Sequence, residues 1–243
     1  STTGVSACWY TLDGGTAASL SGCANTEIFV GGNGSHNLTL YANDSAGNLN
    51  STNVAFAIDT SVPHVAIASP LATNYTTSSL PLNFTATDSV TSVSQCYFVL
   101  DSGSANTSLG CSNGTLPNLS EGSHTLVVYA TDNASNTGSA NVSFRIDTTT
   151  PTATLNSPTA FHNISNSNPT FNWTAVDALS SELACNLTID GSVNRPGLPV
   201  ANGTAYANTS TSAFSDGAHN WSVSCWDEVN NTAASGARAF TVD

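Results

Sequence analysis

Eighteen asparagines in this chain of 243 residues stand in the frame Asn-X-Ser/Thr with X not proline. They are Asn33, Asn37, Asn43, Asn50, Asn74, Asn83, Asn106, Asn113, Asn118, Asn133, Asn141, Asn163, Asn172, Asn186, Asn202, Asn208, Asn220 and Asn230. The chemistry this frame serves is covalent attachment of a glycan to the side-chain amide nitrogen, in a secreted protein. The chain has 27 asparagines and 68 serines plus threonines. That composition alone would give about eight such triplets, so the frame is enriched about twofold. Six cysteines form the second reactive set. Cys8 and Cys23 are 15 positions apart, as are Cys96 and Cys111, which predicts two local disulfides. Cys185 and Cys225 are then expected to pair as a strand-to-strand staple with both side chains inward. Each local loop of this size would contribute about 3 kcal/mol in the chain-entropy account. Zinc is not expected, because no Cys-X-X-Cys or paired Cys/His spacing occurs.

The acids allow one metal reading. Asp59, Asp147 and Asp243 end predicted strands at repeat junctions, and Asp44, Asp132 and Asp227 open the turns before them. A hard cation such as calcium takes several oxygens of this kind. The alternative is that these aspartates cap turns through the backbone. No metal or other cofactor is assigned on sequence, so the covalent glycans are the only non-protein groups expected. His36, His124 and His219 recur at one place after Gly-Ser/Ala, which suits a turn hydrogen bond better than catalysis. His64 and His162 stand alone, and Asp227-Glu228 is the only adjacent acid pair. No Gly-X-Ser-X-Gly elbow, His-Glu-X-X-His or phosphate-binding loop is present. No catalytic residue is assigned, and the chain is read as non-enzymatic.

Charge narrows the partners. Three arginines, no lysine and sixteen acids give a net charge of −13. Nucleic acid and anionic membrane surfaces are excluded, since both need clustered cations. No apolar run approaches the ~20 residues of a membrane-spanning helix. Only 8% of residues are charged, so a glycan coat would supply the missing surface hydration. The sequence opens on Ser1 with no basic and apolar leader, which reads as a processed protein or a segment of a longer one.

These residues must be positioned by strands. Gly34-Ser35-His36-Asn37-Leu38-Thr39-Leu40-Tyr41-Ala42-Asn43-Asp44 returns at Gly122–Asp132 and again at Gly217–Asp227. Each copy runs through a turn into a closing strand ending Phe56-Ala57-Ile58-Asp59, Phe144-Arg145-Ile146-Asp147 or Phe240-Thr241-Val242-Asp243. Asn37-Leu38-Thr39, Asn83-Phe84-Thr85, Asn141-Val142-Ser143 and Asn172-Trp173-Thr174 alternate polar and apolar residues. In a strand this turns acceptor and hydroxyl outward and the middle residue inward. The same alternation places Trp173 and Trp221 in a core, and Trp226 opposite Cys225. Trp9 and Trp226 are left as candidates for a sugar-binding platform, with Trp226 alternatively packing beneath a glycan or a neighbouring subunit.

The repeats are spaced by about 90 residues, which suits a sandwich of roughly seven short strands. The predicted architecture is all-β: three tandem immunoglobulin-like sandwiches spanning residues 1–59, 60–147 and 148–243. Nothing equivalent to residues 60–89 precedes the first repeat, so that sandwich is expected to lack its opening two strands.

The Tyr-Ala-X-Asp-X-X-Gly/Ser-Asn turn, the Asp-Thr-Thr/Ser-X-Pro linker and the Cys-X-X-X-Leu-Asp-Gly strand resemble the tandem Ig-like repeats of microbial, especially archaeal, cell-surface proteins. That resemblance implies stalks, adhesins, surface layers and filaments outside the cell. The expected function is a structural subunit of an extracellular glycosylated filament or surface rod. Strands from a neighbouring copy would complete the first sandwich, making a homopolymer. The alternative is a stalk segment of a longer adhesin or surface-layer protein.

Overall fold

The computed structural model describes residues 4–103 and 107–243. Its strands, in chain order, are β1 (Val5–Leu12), β2 (Ala18–Leu20), β3 (Gly34–Asp44), β4 (Leu49–Ile58), β5 (His64–Ser69), β6 (Asn74–Tyr75) and β7 (Leu80–Thr87). Then come β8 (Val93–Leu100), β9 (Thr107–Ser108), β10 (Gly114–Leu116), β11 (Gly122–Asp132), β12 (Thr137–Ile146), β13 (Thr152–Ser157) and β14 (His162–Ile164). The last are β15 (Thr170–Val176), β16 (Glu182–Ile189), β17 (Ser192–Ala201), β18 (Ala205–Thr209), β19 (Gly217–Trp226), β20 (Thr232–Ala234) and β21 (Arg238–Val242). One short 3₁₀ turn at Ser21–Cys23 accompanies them, and among the described residues no helix is long and apolar enough to cross a membrane. The chain is all-β.

The chain divides into two compact units. One comprises Ser1–Ser69, Asn83–Gly114 and Leu126–Asn141; the other comprises Pro70–Leu82, Thr115–Thr125 and Val142–Asp243. The first four strands form one antiparallel sheet in the order β2-β1-β3-β4. The middle of the chain builds two sheets, β10-β7-β5 and β6-β12-β11-β8-β9. The last hundred residues build β13-β15-β18 and β14-β21-β19-β16-β17, with β20 also on β19.

The last pair of sheets is a sandwich. Leu155, Phe171, Trp173 and Ala175 of one sheet share a core with Leu183, Cys185, Leu187, Trp221, Val223 and Phe240 of the other. Period-2 alternation produces this: β16 and β19 bury every second residue. Trp173 and Trp221 are both at 0% exposure, as their alternation predicts.

Three disulfides join Cys8 to Cys23, Cys96 to Cys111, and Cys185 to Cys225. These are the pairs expected from spacing. Cys185 and Cys225 face each other directly across β16 and β19, and both are buried. Gly34, Gly122 and Gly217 open their strands at φ of 136°, 111° and 135°. The repeated Gly before Ser/Ala-His is therefore a backbone requirement, since L side chains rarely adopt this region.

Candidate functional site

Two features stand out from the strands that carry them. The first is the face of the β2-β1-β3-β4 sheet that carries Leu38, Leu40 and Ala42. Register places Leu12 opposite Leu38 and Tyr10 opposite Leu40 on one side, and Val54 opposite Leu38 on the other. This is one apolar stripe. Its counterparts in β11 are Leu126, Val128 and Ala130, all at 0% exposure. Here Leu40 is 42% and Val54 54% exposed, and no described residue before Pro63 is buried. The outer edge of this sheet also differs. β12 is bordered by β6 and β21 by β14, in parallel in both cases. No described strand borders the corresponding edge of β4.

The second feature grows out of the repeated turn. Asp132 Oδ1 accepts from the backbone N–H of Ala134 (2.8 Å) and Asn136 (2.9 Å), while its Oδ2 accepts from Asn136 Nδ2 (2.9 Å). Asp227 does the same with Val229 and Asn231 (2.9, 2.8 and 2.8 Å). Asp44 repeats the arrangement with Ala46 and Asn48. The expected turn-capping role is thus present in all three copies.

In two copies the turn reaches further. Asn136 Nδ2 donates to the Asp59 carbonyl (3.1 Å), and Asn231 Nδ2 to the Asp147 carbonyl (3.0 Å). The aspartate that ends the preceding closing strand is thereby drawn to the turn. A third acid joins each pair. Asp59, Asp88 and Asp132 place carboxylate oxygens within 4.8 Å of one another, and so do Asp147, Asp177 and Asp227. Each triad lies inside one compact unit. Asp147, Asp177 and Asp227 are only 1%, 5% and 4% exposed. Burial pushes the Asp147 carboxyl above its ordinary value, and the Asp177 and Asp227 charges push the same way. Burial also pushes Asp132 up, but the Asn136 amide and the turn N–H groups hold it below its ordinary value on balance.

Sequence reasoning named four of these six aspartates and missed Asp88 and Asp177. The signal was available in the repeat: Phe84-Thr85-Ala86-Thr87-Asp88 matches Trp173-Thr174-Ala175-Val176-Asp177. Asp44 and Asp243, also named from sequence, belong to neither triad.

The repeated histidines make turn hydrogen bonds. His36 Nδ1 lies 2.8 Å from Asp13 Oδ2, and its Nε2 3.3 Å from the Gly32 carbonyl. His219 lies 2.7 Å from Asp190 Oδ2 and 2.9 Å from the Ser215 carbonyl. The bond to Asp13 holds the His36 imidazole above its ordinary pKa, and His36 in turn holds Asp13 below its own. The Ser215 carbonyl, then Asp190, raise His219. His124 bonds the Ser120 carbonyl at 2.8 Å.

None of the described sequon asparagines is buried; Asn106 lies outside the described residues. Asn202 differs from the rest. Its Nδ2 donates to the carbonyls of Asp177 (2.7 Å) and Ser180 (2.8 Å), and its Oδ1 accepts from Asp177 N (3.0 Å). Both of its amide hydrogens are committed to the loop that carries Asp177. On the outer faces, Trp9 stacks on Tyr41 and Tyr97 on Tyr129.

No family model and no curated protein matches the chain. Solved structures align with it at low identity. The fibronectin(III)-like modules of CbhA from Clostridium thermocellum are 19% identical, with 74% of this chain and 93% of theirs covered, at a TM-score of 0.36. The tetra-tandem repeat in the extending region of a large adhesion protein is 19% identical over 98% and 66%, at 0.40. Extracellular domains 3–5 of Drosophila OTK are 11% identical over 85% and 70%, at 0.43. These are likenesses in strand arrangement and carry nothing about activity or partners.

Proposed function

We propose that the chain is a non-catalytic structural unit of an extracellular, N-glycosylated filament or surface rod. Its repeats span residues 1–59, 60–147 and 148–243, and strands of a neighbouring copy complete the first. The observation that carries this reading is the uncovered apolar stripe of Leu38, Leu40 and Val54 beside the unbordered edge of β4. An apolar sheet face and a free edge together favour strand addition from another chain. The incoming strand would run parallel to β4, as β6 runs along β12 and β14 along β21. Disulfides and solvent-accessible sequons support an extracellular setting. The repeated acids and histidines are engaged in turns, which supports a role without catalysis.

A second reading rests on the same stripe: a stalk section whose missing strands come from a preceding stretch of the same polypeptide. Electron microscopy of native material separates the two. Filaments with one chain per helical repeat, lost in Leu40→Asp or Val54→Asp, support the proposal. Separate rods that both variants leave unchanged sink it in favour of the stalk.

A further inference from the structure

The three carboxylates of Asp147, Asp177 and Asp227 crowd a site that water barely reaches. Asp177 Oδ1 accepts from Leu179 N and Ser180 N, both at 2.8 Å, but its buried Oδ2 has no hydrogen-bond partner. A buried carboxylate oxygen without a donor is costly unless a cation meets it. Among the described residues no cation does so. His36 pairs with Asp13 and His219 with Asp190, away from this site. Arg145 donates to the Leu179 carbonyl instead. The arrangement recurs one repeat earlier, where Asp88 Oδ2 is also buried and unpartnered beside Asp59 and Asp132.

We propose that Asp147, Asp177 and Asp227 bind a calcium ion, and that Asp59, Asp88 and Asp132 bind a second. The donors are all hard oxygens, which disfavours zinc and copper. Three carboxylates gathered in one buried site suit calcium, which takes several protein oxygens, better than magnesium, which keeps several of its waters. The turn bonds of Asp227 and the loop bonds of Asp177 hold both groups in place before any ion arrives. Asp147 follows directly on β12 and precedes the linker Thr148–Pro151, whereas Asp177 and Asp227 sit in loops after β15 and β19. A bound ion fastens the end of one closing strand to two loops of the next sandwich, stiffening the linker. This inference does not depend on filament assembly.

The test is calorimetric titration of the chelator-treated full chain with calcium chloride, alongside its melting temperature. Two ions per chain and a melting temperature that rises with calcium are expected. Asp177→Asn keeps the Oδ1 acceptor, so its loop folds, and it binds one ion. Asp88→Asn binds one ion at the other triad, and the double variant binds none. Asp216→Asn, an exposed acid outside both triads, keeps both. No binding up to about 10 mM calcium, well above the range of extracellular modules, overturns the proposal. So does unchanged stoichiometry in Asp88→Asn and Asp177→Asn, which would place the ions on surface acids.

Discussion

The strand pair β3–β4 and its counterpart β11–β12 share a sequence pattern and much of their local geometry, yet only one of them is a core. His36 tilts against Phe56 at 5.6 Å and 31°, and His124 against Phe144 at the same distance and angle. The aspartate turns of the two pairs match bond for bond. Leu126 and Val128 are nonetheless fully buried, while Leu40 is half in solvent. Local geometry is thus carried by the strand and its turn. Burial is carried by whatever lies across the apolar face, and among the described residues no second sheet covers that of β3–β4.

The largest test of that difference is truncation. Leu126→Ala should cost about 2–5 kcal/mol, the range for a buried leucine. Leu38→Ala should cost less than about 1 kcal/mol in dispersed chains. Denaturant unfolding measures both. In assembled material the Leu38→Ala penalty should rise toward that of Leu126→Ala; equal penalties in dispersed chains would break the comparison.

Disulfide removal comes next. Replacing Cys185 and Cys225 with alanine opens a 40-residue separation and should cost about 4 kcal/mol. Cys8 and Cys23, with a separation of 15, should cost about 3 kcal/mol. Thermal unfolding of the two double variants gives the order. Because the β1–β4 sheet lacks a covered core, the smaller loss should still melt that sheet locally, which hydrogen exchange would register.

Sugar attachment offers a third contrast. Asn37, exposed on β3, should be occupied, and Asn202, with both amide hydrogens bonded, should be bare. Peptide mass spectrometry of native material reads this directly. Asn202→Ala should cost about 1–3 kcal/mol through the groups it leaves unpaired, and Asn37→Ala within about 0.5 kcal/mol.

The smallest effect is that of pH. The His219 pKa is raised, so its stabilisation is complete below the unfolded value of 6.5 and is lost as pH rises through the folded value. His219→Asn should flatten the decline in melting temperature above pH 6.5. Asp190 is 45% exposed, so the pair is worth less than about 1 kcal/mol. Both His219 and His36 should titrate above the ordinary imidazole value by NMR.

Much of this was legible in the residues. The alternation in Phe171-Asn172-Trp173-Thr174-Ala175 gave both the strand and its inward tryptophan, because period 2 leaves only one way to face a core. Equal cysteine separations gave the two local disulfides, and the replacement of Ala42 and Ala130 by Cys225 gave the third. Asp88 and Asp177 were overlooked because each looks like an ordinary residue at a strand end. Asn202 matches the acceptor frame as well as any other asparagine does, and only its three bonds to the Asp177 loop distinguish it.

By itself, then, the sequence determined what is local: strand faces, turn caps, cysteine pairing and the repeat that carries them. These follow from side-chain periodicity and from hydrogen bonds closed within a few residues. The tertiary structure decided what depends on distant segments meeting. It left the face of β3 open while the equivalent face of β11 is buried, and it brought Asp147, Asp177 and Asp227 together from positions 30 and 50 residues apart. Burial and charge crowding are properties of the space between segments, and no periodicity along a single strand encodes them.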